Sequence, residues 1–177
     1  MILRKVFQII RQLTFLLCWT FCLATTDMFS QNNTETLLKE IKTLNGKEYF
    51  IKSNDLAELY IDTEPSKAQE LIEQLLLNPK LDSFTKQQAR TYYLLGKVRS
   101  AQGIYSDSYE PLDKALFLFN SEDDEYEIAK CHLAKGIAYT YQGQKENAQS
   151  ALNQSLELFK DINDINIEII HFASESN

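Results

Sequence analysis

Two histidines, three cysteines and a scatter of carboxylates are the groups with which this 177-residue chain could do chemistry. Cys131 and His132 are adjacent, so on a helix they point about 100° apart and cannot share a metal from one turn. None of the five glycines sits in a phosphate-cradling loop. The acidic run Glu122–Glu125 reads as a helix start, where negative charge meets the positive end of the helix dipole. With no catalytic constellation, the sequence predicts a binding protein rather than an enzyme, with no cofactor and no metal. A different chemistry is carried by spacing. Arg90 and Lys97 stand seven residues apart, two helical turns, and so share a face. Lys130 follows Arg90 by 40 residues, and 40 is a number the chain repeats elsewhere.

The elements that would hold these residues are paired helices. Ala134–Phe159 reads as two helices joined by a tight turn at Gly143, with Ala148, Ala151, Leu152, Leu156 and Phe159 on one face of the second. Leu95–Phe119 has the same form. Gly96 answers Gly136 and Gly103 answers Gly143, both 40 residues apart. Self-similarity at such a period predicts a helical repeat array. Ala57 precedes Gly96 by 39 residues, so an earlier copy is expected with a shorter turn at Asp62–Pro65.

The pattern Leu95-Gly96, Gly103, Ala115-Leu116, then Gly136, Tyr139, Gly143, Ala148, Leu152 resembles the tetratricopeptide repeat (TPR), in its longer-period variants known from bacterial regulators and kinesin light chains. The resemblance covers roughly Ile51 to Phe159. It implies an all-α fold, a right-handed α-solenoid of about three TPR-like helical hairpins, binding a protein segment in a groove lined by the first helix of each hairpin. Carried over residue by residue, the groove positions hold Ile51, Asn54, Glu58 and Ile61, then Arg90, Tyr93, Lys97 and Ser100, then Lys130, Leu133, Ile137, Thr140 and Tyr141. Arg90, Tyr93, Lys97, Lys130, Leu133 and Tyr141 form the expected binding strip, basic with apolar walls. It suits an acidic peptide or a chain-terminal carboxylate. The strip is similar to the carboxylate clamp of co-chaperone TPRs, without the full set of clamp asparagines.

Taken in order, residues 1–31 read as a signal peptide and short spacer. Arg4, Lys5 and Arg11 form a basic start, and Leu13–Ala24 is an apolar run of 12 residues, short of the ~20 that span a bilayer. Met28–Gln31 resembles the end of signal peptides in exported Gram-negative proteins. The expected location is periplasmic; an uncleaved segment anchoring the chain in the inner membrane is the alternative. Removing 1–31 takes the net charge from −7 to −9 and leaves Cys131 as the lone cysteine. So acidic a chain disfavours nucleic acid and anionic membranes.

Residues 32–46 are expected to form a flanking helix ended by Gly46. The repeat array follows over 47–163, with hairpins at about 47–80, 83–120 and 121–163. Pro65 fits a helix start. Ser83 is read as a helix cap, Asp107 or Ser108 as the start of the next helix with Pro111 close behind it, and Ser121 as a cap backed by Asp124. Lys135 replaces a leucine-like residue, and its stem is expected to lie along the interface with its ammonium in water. Residues 164–177 read as an incomplete fourth repeat, whose exposed isoleucines would drive self-association, or as a C-terminal cap. The leading expectation is an exported non-catalytic TPR module. The alternative is the sensory fragment of a two-component sensor kinase or transcriptional regulator lacking its output domain.

Overall fold

A computed structural model describes residues 34–161. The readings of 1–31 as a signal peptide and of 164–177 as a cap lie outside the described residues. Every regular element within them is helical. A short helix, α1, covers 34–41, followed by α2 (Gly46–Thr63), α3 (Pro65–Leu76), a 3-10 turn (Pro79–Ser83), α4 (Thr85–Ala101), α5 (Tyr105–Ser121), α6 (Glu125–Tyr141) and α7 (Lys145–Asp161). Over the described residues the fold is all-α, as expected.

The helices pair in chain order: α2 with α3, α4 with α5, α6 with α7. Contacts between pairs run through α2–α4 and α3–α4, then α5–α6 and α4–α6. This stacking follows from the buried stripes. On the second helix of each pair the fully buried positions include Ala68, Ile72 and Leu75, then Ser108, Leu112 and Ala115, then Ala148, Leu152 and Ser155, each set 40 residues after the last. Spacings of four and three put each set on one helix face. Burying a large aliphatic side chain contributes ~1.5–3 kcal/mol, so each stripe needs the next helix against it.

Two glycines let the pairs close. A Cβ at Gly96 would lie 2.5 Å from Leu112 Cγ, and one at Gly136 would lie 2.6 Å from Leu152 Cδ2. The turns after α4, α5 and α6 share one geometry. The amide of Ile104 bonds the Arg99 carbonyl and that of Gly103 bonds Ser100; Asp124–Phe119 with Asp123–Asn120, and Gln144–Tyr139 with Gly143–Thr140, repeat the pattern. This paired capping needs a left-handed residue. Gly103 (φ 78°), Asp123 (φ 53°) and Gly143 (φ 69°) supply it.

Several local expectations are corrected. The first helix ends at 41, and Gly46 opens α2 rather than closing α1. Ser83 closes the 3-10 turn, and Phe84 precedes α4. Ser121 is the last residue of α5; the cap of α6 is Asp124, whose side chain accepts from the Glu127 amide. Helix α5 starts at Tyr105, which puts Pro111 two turns inside it. Proline there leaves the carbonyl of Asp107 without its helical partner. The Arg99 guanidinium donates to that carbonyl at 3.0 Å, so α5 runs through.

Candidate functional site

The first helices of the three pairs line a cleft of about 430 Å3. Helix α2 contributes Ile61 and Asp62, α4 contributes Tyr93, Lys97, Ser100 and Ala101, and α6 contributes Lys130, Leu133, Ala134, Ile137 and Tyr141. Five of the six residues expected on the binding strip therefore meet here. The sixth, Arg90, lies one step along α4, in a smaller pocket that shares Lys130 and also holds Ile51, Gln87 and Glu127.

Aromatic rings shape the cleft. Tyr93 is buried in its floor, and burial pushes its phenol well above the ordinary value, so it stays neutral. The Lys97 and Lys130 ammonium groups stand 5.7 and 5.0 Å from the centre of the Tyr93 ring, a cation–π arrangement. At the other end Tyr141, 62% exposed, stacks on Tyr105 of α5 with centroids 5.3 Å apart and planes 8° from parallel. Just outside, Tyr109 and Tyr139 stack at 4.5 Å, and the Tyr109 hydroxyl donates to Gln142. These pairs stiffen the α5–α6 corner on which Tyr141 stands.

Electrostatics set the cleft's character. Spacing presents Arg90, Lys97 and Lys130 as a free basic strip, whereas the structure gives each an internal carboxylate. Arg90 forks between Asp55 (2.7 Å) and Glu58 (2.8 Å). Lys97 approaches the other oxygen of Glu58 at 3.6 Å, and Lys130 pairs with Glu127 at 3.0 Å. Burial pushes the Glu58 carboxyl up, but the Arg90 hydrogen bond and the charges of Lys97, Arg90 and Lys130 outweigh it and hold the carboxyl below its usual value. Three cations face three carboxylates, and Asp62 adds another acid to the lining. The strip is balanced, not basic.

Asn54, expected in the groove, is 0% exposed instead. It falls on the stripe Phe50, Asn54, Ala57, Ile61 that α2 buries. There it donates to the Gln87 carbonyl and accepts from the Thr91 hydroxyl at 3.0 Å, which ties α2 to α4. Lys135 does not end in water alone; its ammonium meets Asp113 of α5 at 2.5 Å. Sequence reasoning missed Asp55, Glu127 and Tyr105. Asp55 and Glu58 share a face at a spacing of three, and Glu127 stands three before Lys130, so these acids carried a signal. Tyr105 carried none, because its reach depends on where α5 begins.

Two polar atoms at the site have no partner. The Ser100 hydroxyl is buried in the cleft lining, and the Gln87 side-chain oxygen is buried in the pocket beside Arg90. Away from the cleft, Cys131 is fully buried and burial pushes its thiol far up, which makes it an inert core residue. Burial lowers the pKa of neighbouring His132. Among the described residues no group of three His, Cys, Asp or Glu is placed to hold a metal, and no helix is long and apolar enough to cross a membrane. The chain matches no protein-family model, and no curated protein is significantly similar to it.

Proposed function

We propose that this chain is a non-catalytic repeat protein of the tetratricopeptide type, a right-handed solenoid whose cleft binds a segment of another protein. The observation that carries the reading is the convergence of Tyr93, Lys97, Lys130, Leu133 and Tyr141, from successive first helices, on one open cleft of about 430 Å3. That volume falls in the range of ~300–1,000 Å3 typical of ligand sites, where an apolar lining with a few polar groups is the usual composition. The 12-residue apolar run near the N-terminus supports export. Sequencing the N-terminus of the mature protein tests that part.

Site-specific photo-crosslinking tests the binding role. A benzophenone side chain at Tyr141, exposed at the cleft mouth, should capture a discrete partner in the native envelope. The same group at Phe117, 76% exposed and outside the cleft lining, should not. Equal capture at both positions rejects the cleft as the binding surface.

A further inference from the structure

We infer that the cleft selects an extended, uncharged segment with bulky apolar side chains, and discriminates against acidic ones. The inference rests on the cleft's being a protein-binding site. Its first support is charge. A carboxylate entering beside Lys97 or Lys130 meets ammonium groups already engaged with Glu58 and Glu127. It must either displace those acids or sit beside them, and Asp62 stands at the same lining. Like charges brought together in a partly desolvated cleft are strongly disfavoured. An uncharged segment leaves all four contacts of the network intact.

Shape is the second support. Ile61, Ala101, Leu133, Ala134 and Ile137 give the cleft apolar walls between Tyr93 and the Tyr105–Tyr141 stack. From Lys130 to Tyr141 the α6 wall is ~16 Å long at 1.5 Å per residue. An extended chain covers that length in about five residues. Alternate side chains of such a segment point to one side, so two or three apolar groups can enter together.

The third support is a buried polar atom without a partner, the Ser100 hydroxyl in this cleft. Buried polar groups normally have partners. A helical ligand uses its main-chain groups internally, whereas an extended one has N–H and C=O groups to offer along the cleft. Ser100 lies on α4, the helix along which such a segment would run.

The test uses the purified full chain and a library of random heptapeptides displayed on phage. Selection should enrich uncharged sequences with large apolar residues at alternate positions. A fluorescent peptide of that consensus should bind with an affinity that changes less than about twofold between low and physiological salt, as expected where no net charge is neutralised. Leu133→Glu should weaken it by about tenfold or more, the scale of an unpaired charge in an apolar site. Tyr141→Ser, on an exposed ring, gives the same direction without threatening the core. Ser100→Ala should weaken it several-fold, about the scale of one lost hydrogen bond. Glu58→Gln, which frees Lys97 and half of the Arg90 fork, should shift the selected consensus toward acidic residues. An acidic consensus from the wild type overturns this inference and leaves the cleft as a binding site. No consensus, or one indifferent to both Leu133→Glu and Tyr141→Ser, overturns the cleft reading itself. Binding unchanged by Ser100→Ala rejects the extended main-chain contact.

Discussion

Replacing Gly136 by alanine should destabilise this protein, and should stabilise it once Leu152 has been cut back. An ideal Cβ at Gly136 falls 2.6 and 2.7 Å from Leu152 Cδ2 and Cγ and 3.3 Å from the Leu152 amide nitrogen, where ordinary contact begins at 3.4 Å. Leu152 is fully buried against Ala129, Leu133 and Phe159, so it has little room to retreat. Alanine in a helix interior gains about 1 kcal/mol over glycine. Overpacking of this kind costs ~1–3 kcal/mol. The clash wins because α6 and α7 would have to part, and we expect a net loss of about 1 kcal/mol. In a Leu152→Ala background, itself costing ~2–5 kcal/mol, the two side-chain clashes are gone and only the main-chain nitrogen of residue 152 stays close, at 3.3 Å. There Gly136→Ala should recover its propensity and gain about 1 kcal/mol, a coupling of ~2 kcal/mol. Urea unfolding midpoints, read at constant slope, measure all four variants. Gly103→Asn is the control: φ is 78°, nothing lies within 4 Å, and Asp123 fills the same place after α5. It should cost less than the ~1–2 kcal/mol that most L-residues lose in this left-handed conformation. A Gly136→Ala that stabilises the wild type as much as the Leu152→Ala protein would refute the close approach of α6 and α7.

Three further outcomes are expected. Glu58 has a folded pKa below its ordinary 4.5, so the unfolded chain binds more protons there and stability falls as pH drops below that value. His132 has a folded pKa below 6.5, so its contribution is lost earlier, from pH 6.5 downward. Unfolding midpoints against pH should lose the upper part of the decline in His132→Gln and blunt the lower part in Glu58→Gln; unaltered profiles reject both assignments. Arg99→Leu should cost about 1 kcal/mol by orphaning the Asp107 carbonyl. It should cost little after Pro111→Ala, which restores the helical N–H, and strict additivity in a double-mutant cycle rejects that role. Deleting Ile165–Asn177 should convert a self-associating chain to a monomer by light scattering; equal mass with and without the segment rejects its isoleucines as the contact.

The repeat was legible because it is written in small and apolar residues whose roles are local. Gly96 and Gly136 must be small to let the helices touch, Gly103 and Gly143 must turn left, and the second-helix stripes recur every 40 residues. Caps were less legible. Ser83 and Ser121 have the right chemistry for a helix start, but each falls at the end of the element before it. The left-handed residue after α5 is Asp123, where a glycine would have marked the boundary. Pro111 looked restricted to a first turn because the compensating donor, Arg99, belongs to another helix, and only tertiary structure brings it to the orphaned carbonyl.

The site was legible in position and not in charge. A period places side chains of like rank beside one another, which is why Tyr93, Lys97, Lys130, Leu133 and Tyr141 meet. It cannot say which side chains of unlike rank reach them. Arg90 was matched to Lys130 across one repeat, yet its binding partners are Asp55 and Glu58, 35 and 32 residues before it, on the face that α2 turns toward α4. Reading one sign at a time yields a basic strip; reading both signs on adjacent helices yields a neutral one. The same correction applies to Asn54, whose place on the stripe Phe50, Asn54, Ala57, Ile61 assigns it to the core whatever family position it matches. A polar residue on a buried stripe needs partners on the facing helix, and Thr91 and the Gln87 carbonyl supply them. That bond uses the Gln87 main chain and leaves its side-chain oxygen unpaired in the pocket that Arg90 also lines.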